Sequence, residues 1–228
     1  MTARLVVLAS GHGSNLQAVL DACADGRIDA GVHAVFSDRA DAYALDRAES
    51  AGVDAVRIPK HADETRTGYD ARLAGAVAAF TPDWVVLAGW MRLLTMNFLG
   101  CFPERVINLH PALPGEFVGL HAIEQAWRSG RARTGVMVHL VPDEGVDDGP
   151  VLATVTVPIQ PRESLEALTL RVHAAEHELL ITTLARLCDP RDPYRPTDLT
   201  TPPPLSDPPP PSDPSTPTPP IDREPKHA

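Results

Sequence analysis

The 228-residue chain carries 30 acidic against 20 basic side chains, a formal net charge of −10, and is 43% hydrophobic. That length supports one domain with a full core, and the acidity argues against a nucleic-acid partner, whose affinity rests on basic contacts to phosphate. No run approaches the roughly 20 apolar residues of a membrane helix, the N-terminus lacks a signal-peptide pattern, and Cys23, Cys101 and Cys188 are too scattered for a disulfide or metal framework, so a cytoplasmic protein is expected.

Arg4 to Ser10 is a short apolar run stopped by glycine, the pattern of a strand buried on both faces. Gly11-His12-Gly13-Ser14-Asn15 follows, and from Leu16 to Cys23 apolar residues recur at helical spacing. Strand, glycine loop and helix start place backbone N–H groups and the positive end of a helix before an anion. Ser14 and Asn15 can cap that helix and donate to phosphate oxygens. The dinucleotide fingerprint needs a third glycine where this chain has Leu16, so a phosphate monoester suits the loop better than a pyrophosphate. Read alone, the loop is equally a Ser/Asn-capped turn.

Gly31 to Ser37 reads as a second strand, Asp41 to Ala51 as a helix and Val53 to Ile58 as a third strand. Lys60 to Thr67 is polar and loop-like, and Tyr69 to Phe80 is an alanine-rich helix. The most strand-like stretch is Asp83 to Gly89, and the bulky segment Trp90-Met91-Arg92-Leu93-Leu94 after it either packs in the core or walls a flat apolar pocket.

Val106 and Ile107 are the end of another buried strand, which leads into Asn108-Leu109-His110-Pro111. Pro111 stops any helix, so Asn108 and His110 sit two residues apart on one side of a strand end, where open α/β sheets bind their ligands. An amide donor beside an imidazole suits a reaction in which a carbonyl oxygen becomes negative and a proton moves. A capped turn with a core histidine is the plainer alternative. A helix from His121 to Arg128, a strand from Thr134 to Val141, the acidic loop Pro142 to Pro150, a strand from Val151 to Ile159 and a helix from Glu163 to Leu187 complete the pattern. Alternating strands and helices predict an α/β fold: an open, mostly parallel, Rossmann-like sheet with helices on both faces and an antiparallel strand pair near the C-terminal end.

After Cys188 the composition changes: 15 of the 24 prolines fall in residues 189–228. Such a segment buries too little to offset its ordering entropy and is expected to be disordered, leaving residues 1–188 as the folded domain. Removal of residues 189–228 is therefore expected to leave activity and melting temperature nearly unchanged, and a melting temperature many degrees lower would show that the segment packs on the domain.

With these segments placed, the chain resembles the phosphoribosylglycinamide formyltransferase family from about Arg4 to Leu187. The resemblance rests on five motifs in the family's order: Ser10-Gly11-His12-Gly13-Ser14-Asn15, Val35-Phe36-Ser37-Asp38, Leu87-Ala88-Gly89-Trp90-Met91-Arg92, Asn108-Leu109-His110-Pro111 and Asp147-Asp148-Gly149-Pro150. It implies transfer of a formyl group from the co-substrate 10-formyltetrahydrofolate to the amine of glycinamide ribonucleotide, without metal and in purine biosynthesis. It also assigns roles. Gly13, Ser14 and Asn15 match the phosphate loop, and His173 and Glu176 match the rest of the nucleotide site. Arg66, Met91, Arg92, Leu93, Leu94, Pro142, Asp143, Glu144, Gly145 and Val146 match the folate pocket, and Asn108, His110 and Asp147 the catalytic trio. Asp147 as a carboxylate beside His110 is expected to raise the imidazole pKa.

Two departures stand out. The run Pro114-Gly115-Glu116-Phe117-Val118-Gly119 replaces a family segment that usually carries a lysine or other polar residue after Leu-Pro, which alters the sign of this loop. The acidic loop is one residue longer; register with Gly149-Pro150 selects Asp147 as the catalytic carboxylate, with Asp148 the alternative. Other 10-formyltetrahydrofolate enzymes (the methionyl-tRNA and sugar-nucleotide formyltransferases and the hydrolase) and a non-catalytic nucleotide- or folate-binding module are the competing readings. The phosphate loop speaks against the first two and the complete trio against the last. Oligomeric state is open, a homodimer included.

Overall fold

The computed structural model describes residues 2–191; Met1 and residues 192–228, most of the proline-rich segment, lie outside the described residues. Among the described residues, seven strands form one sheet in the order β3-β2-β1-β4-β5-β6-β7. They are β1 (Ala3–Leu8), β2 (Ala30–Ser37), β3 (Asp54–Arg57), β4 (Trp84–Leu87), β5 (Val106–His110), β6 (Arg133–Leu140) and β7 (Val151–Pro158). Strands β1 to β5 run parallel, as the alternation with helices requires. The expected antiparallel pairing of β6 with β7 is present, and β6 is also antiparallel to β5.

The helices are α1 (Ser14–Ala24), α2 (Tyr43–Ser50), α3 (Arg66–Ala78), α4 (Met96–Leu99), α5 (Ala122–Arg128) and α6 (Leu165–Leu187). They cover both faces of the sheet, which explains the unbroken apolar run of β1. Leu5 and Val7 belong to one cluster with Leu16 of α1 and Val172 and Leu180 of α6, whereas Val6 and Leu8 belong to a second with Leu73 of α3 and Phe98 of α4. Alternate side chains thus serve opposite layers. Each such aliphatic side chain contributes about 1.5–3 kcal/mol by its burial.

Some boundaries differ from the sequence pattern, each for a local reason. Helix α1 begins at Ser14, ahead of the first apolar residue, because Gly13 takes a left-handed φ of 74° as the N-cap residue. Contrary to expectation, neither Ser14 nor Asn15 caps it, and no side chain does. Helix α3 starts at Arg66, inside the stretch expected to be loop, because the Thr65 hydroxyl accepts from the Gly68 N–H at 3.0 Å. The four-residue α4 is absent from the sequence reading. Its first N–H groups are held by carboxylates from elsewhere: Thr95 N–H donates to Asp70 Oδ2 at 2.6 Å and Met96 N–H to Glu144 Oε1 at 3.1 Å.

The chain moves outward from β1 to β3 and then returns to place β4 on the other side of β1. Strand order therefore reverses between β1 and β4, the kind of crevice where open α/β sheets bind ligands. The two strand ends are stitched there: Ser10 N–H donates to the Gly89 carbonyl, and Met91 N–H to the Ser10 hydroxyl, each at 3.0 Å. No helix among the described residues is long and apolar enough to cross a membrane.

Candidate active site

The end of β5 gathers the expected trio. Asn108 and His110 project from the same side of the strand, and the Asp147 carboxylate reaches both. Asn108 Nδ2 donates to Asp147 Oδ1 at 3.0 Å, and Asp147 Oδ2 lies 3.3 Å from His110 Nδ1. Gly119 N–H donates to Asp147 Oδ2 at 2.9 Å. Asp147 adopts a left-handed φ of 53°, a conformation that aspartate tolerates better than most residues. Of the two neighbouring aspartates it is Asp147 that turns inward, while Asp148 is exposed.

Burial is the largest influence on the Asp147 carboxyl and acts to raise its pKa. The His139 imidazole, the Gly119 N–H and the His110 imidazole outweigh it, so the group lies below its ordinary value and is ionised at neutral pH. His110 goes the other way from expectation. Burial lowers its pKa below the ordinary imidazole value and prevails over the Asp147 carboxylate and the Phe117 carbonyl, which pull upward. The second ring nitrogen, Nε2, lies 3.1 Å from the Phe117 oxygen. Both nitrogens thus face acceptors, so an imidazolium formed in the course of a reaction would be satisfied in place.

The departing loop 114–119 is therefore part of the site, through the Phe117 carbonyl on His110 and the Gly119 N–H on Asp147. Its turns use left-handed backbone at Gly115, Phe117 and Gly119. Glu116, the altered charge, pairs with Arg131 at 2.6 Å, and the Arg131 guanidinium lies over the Phe117 ring. Sequence reasoning missed His139, which stands opposite Asn108 across β5 and β6. The register of those two strands is the signal that would have found it.

A cavity of about 430 Å³ opens beside the trio. Met91 to Leu94 and Asp143 to Val146 line it together with Asn108, His110, His139 and Asp147. Met91 and Leu93 are 61% and 51% exposed, an apolar rim ready to cover a flat ligand. Arg92 is engaged, 3.7 Å from Asp38 and stacked over the Tyr69 ring. Arg66 and Pro142 do not line the cavity. Arg66 braces its wall instead, donating to the carbonyls of Leu93 at 3.1 Å and Leu94 at 3.3 Å, with Glu144 3.6 Å away.

The phosphate-loop residues form a separate group at the switch point. Ala44 N–H donates to the Gly11 carbonyl at 3.1 Å and Arg47 Nε to the His12 carbonyl at 2.9 Å, so α2 holds the loop in shape. A Cβ on Gly13 would come within 2.9 Å of Ala44 Cα. Asn15 lies beside Glu176 of α6, and His173 Nε2 is 3.9 Å from the Glu176 carboxylate, so α6 brings Glu176 and His173 to the start of α1.

Burial pushes the Glu176 carboxyl from 4.5 up to about 7, against a lowering contact from Asn15, and burial also lowers His173. A carboxyl whose pKa is raised by folding costs stability as pH rises from its unfolded value, in full above about pH 7. Glu176→Gln is accordingly expected to stabilise the protein by up to about 3 kcal/mol in alkaline buffer and by little in acid. Urea titrations at the two pH extremes check this; an equal effect at both would contradict the assignment.

The sheet thus carries an amide and an imidazole at the end of β5, with a carboxylate reaching both from the loop between β6 and β7. Residues 3–184 match the formyl transferase family, and the chain belongs to that family. Within it, the phosphoribosylglycinamide formyltransferase of Escherichia coli is 40% identical over 187 residues, which cover 82% of this chain and 88% of that protein. The phosphoribosylglycinamide formyltransferase of Mycobacterium tuberculosis is 44% identical over 186 residues, 81% of this chain and 85% of that protein. The crystal structure of glycinamide ribonucleotide transformylase 1 from Symbiobacterium toebii superposes with a TM-score of 0.79 at 43% identity, covering 82% of this chain and 88% of that one. The family resemblance read from the sequence therefore holds.

Proposed function

We propose that the chain transfers the formyl group of 10-formyltetrahydrofolate to the amine of glycinamide ribonucleotide, a step of purine biosynthesis, in the cytoplasm. The observation that carries the reading is the convergence of Asn108, His110 and Asp147 on the 430 Å³ apolar-rimmed cavity, in a chain whose relatives bear that activity in their names. The folate-type donor supplies the formyl carbon; the rim of Met91 and Leu93 with the buried Leu94 suits its flat ring. Gly13, Ser14 and Asn15 at the start of α1 would hold the nucleotide phosphate, with His173 and Glu176 further along it.

Attack by a neutral amine places negative charge on the formyl oxygen. The site answers that charge with two N–H donors, each typically worth roughly 10²–10³ in rate. Those protons are engaged within the protein: His110 Nε2 faces the Phe117 carbonyl and Asn108 faces Asp147. The formyl oxygen would take the first and share the second. Asp147, ionised, stabilises the imidazolium when His110 gains a proton, and through water it passes the amine proton toward the departing folate nitrogen. Neither a metal nor a covalent enzyme intermediate enters this chemistry. The test is folate absorbance with purified protein: a change requiring both substrates is expected, and a change with folate alone would point to hydrolysis.

A further inference from the structure

We propose that Arg47 of α2 is a positioning residue for the nucleotide phosphate, acting on the backbone of the loop from Gly11 to Asn15; the proposal rests on the phosphate-loop reading above. In a trans peptide the carbonyl and the N–H that follows it point to opposite sides. The Gly11 carbonyl accepts from Ala44 N–H at 3.1 Å and the His12 carbonyl from Arg47 Nε at 2.9 Å, so two successive carbonyls face α2. The N–H groups of His12 and Gly13 are thereby turned away from α2. With the first N–H groups of α1, which have no partner inside the helix, they make a run of backbone donors suited to an anion.

The rest of the Arg47 side chain locks this arrangement. Nη1 donates to Gln17 Oε1 of α1 at 2.9 Å, and Nη2 lies 3.3 Å from His12 Nδ1. A guanidinium can only donate, so His12 Nδ1 accepts and the neutral ring carries its hydrogen on Nε2. The guanidinium lies over the Tyr43 ring, 4.8 Å from its centre, and the His12 ring is 5.4 Å from the same ring. The stem rests against the loop: Arg47 Cδ is 3.4 Å from the point where a Gly13 Cβ would stand. Among the described residues no carboxylate pairs with this guanidinium, and its donors go to neutral acceptors. A positive charge is therefore left unpaired beside the run of donors, fixed in place before the phosphate arrives.

Arg47→Met keeps the stem and removes the guanidinium. It is expected to lower kcat/KM for glycinamide ribonucleotide about 10- to 100-fold, mostly through KM, with KM for the folate near wild type. Inorganic phosphate should weaken by the same factor as a competitor of the nucleotide. The dephosphorylated nucleoside, which gives the loop nothing to grip, should be handled equally by variant and wild type. Arg47→Lys, which keeps the charge without the fork, should recover part of the loss. An equal loss on nucleotide and nucleoside would show that Arg47 only supports the fold and would overturn the proposal, as would a wild-type kcat/KM for the nucleotide in Arg47→Met. If the methionine variant does not fold, the same comparison on Arg47→Lys decides: a loss confined to the nucleotide supports the proposal, and an equal loss or none overturns it. A wild-type protein that does not distinguish nucleotide from nucleoside would instead remove the phosphate-loop reading itself.

Discussion

His110→Ala and Asp147→Asn are each expected to lower kcat by roughly 10²- to 10⁴-fold, with nucleotide binding largely intact. Both groups act on charge that exists only in the transition state, so their loss should appear in kcat more than in KM. The contacts give the two variants different signatures. His110→Ala removes a donor and leaves the Phe117 carbonyl without its partner at 3.1 Å. Asp147→Asn keeps the shape of the side chain but removes the charge that opposes burial at His110, so the imidazole pKa should fall further. Steady-state kinetics with both substrates varied, together with nucleotide binding by calorimetry, separate these effects. A crippled Asp148→Asn beside a mild Asp147→Asn would show that the acidic loop is in another register from the one its contacts indicate.

The nucleotide phosphate is expected to govern substrate choice nearly as strongly. If the loop from Gly11 to Asn15 grips a monoester, the dephosphorylated nucleoside should be slower by several powers of ten in kcat/KM. Charge-assisted hydrogen bonds contribute roughly 1.5–3 kcal/mol each, and two or three would be lost. These contacts lie away from the trio, yet binding energy gained there can position the amine for attack. Inorganic phosphate should compete with the nucleotide and not with the folate. Gly13→Val should mimic part of the loss, because a side chain at φ 74° and within 2.9 Å of Ala44 Cα displaces the loop from α2. The nucleoside comparison is the cleaner test, since it leaves the protein untouched. Equal kcat/KM for nucleotide and nucleoside would reject the phosphate loop.

The strands were legible because a parallel sheet covered on both faces demands unbroken apolar runs, as in Leu5 to Leu8 and Trp84 to Leu87. The same logic located Asn108 and His110 at a strand end. Features set by distant partners were not legible. Helix α4 is too short for a period to show, and its N–H groups are held by Asp70 and Glu144, 25 and 48 residues from their partners. His139 lies in an ordinary apolar strand, and only the pairing of β5 with β6 reveals that it faces Asn108. The sign of the His110 shift depends on how deeply the ring is buried, a quantity that the neighbouring motif does not contain. The contacts of the exposed Arg66 guanidinium with the Leu93 and Leu94 carbonyls, 27 and 28 residues away, were equally beyond the local pattern.

The most direct measurement follows the formyl carbon itself. The protein is incubated with glycinamide ribonucleotide and a donor labelled at that carbon, and the products are separated by mass. The label is expected to appear as an amide on the nucleotide, in step with consumption of the donor, and His110→Ala is expected to suppress it. Label released as free formate, or retained on the folate while both substrates bind, would contradict it.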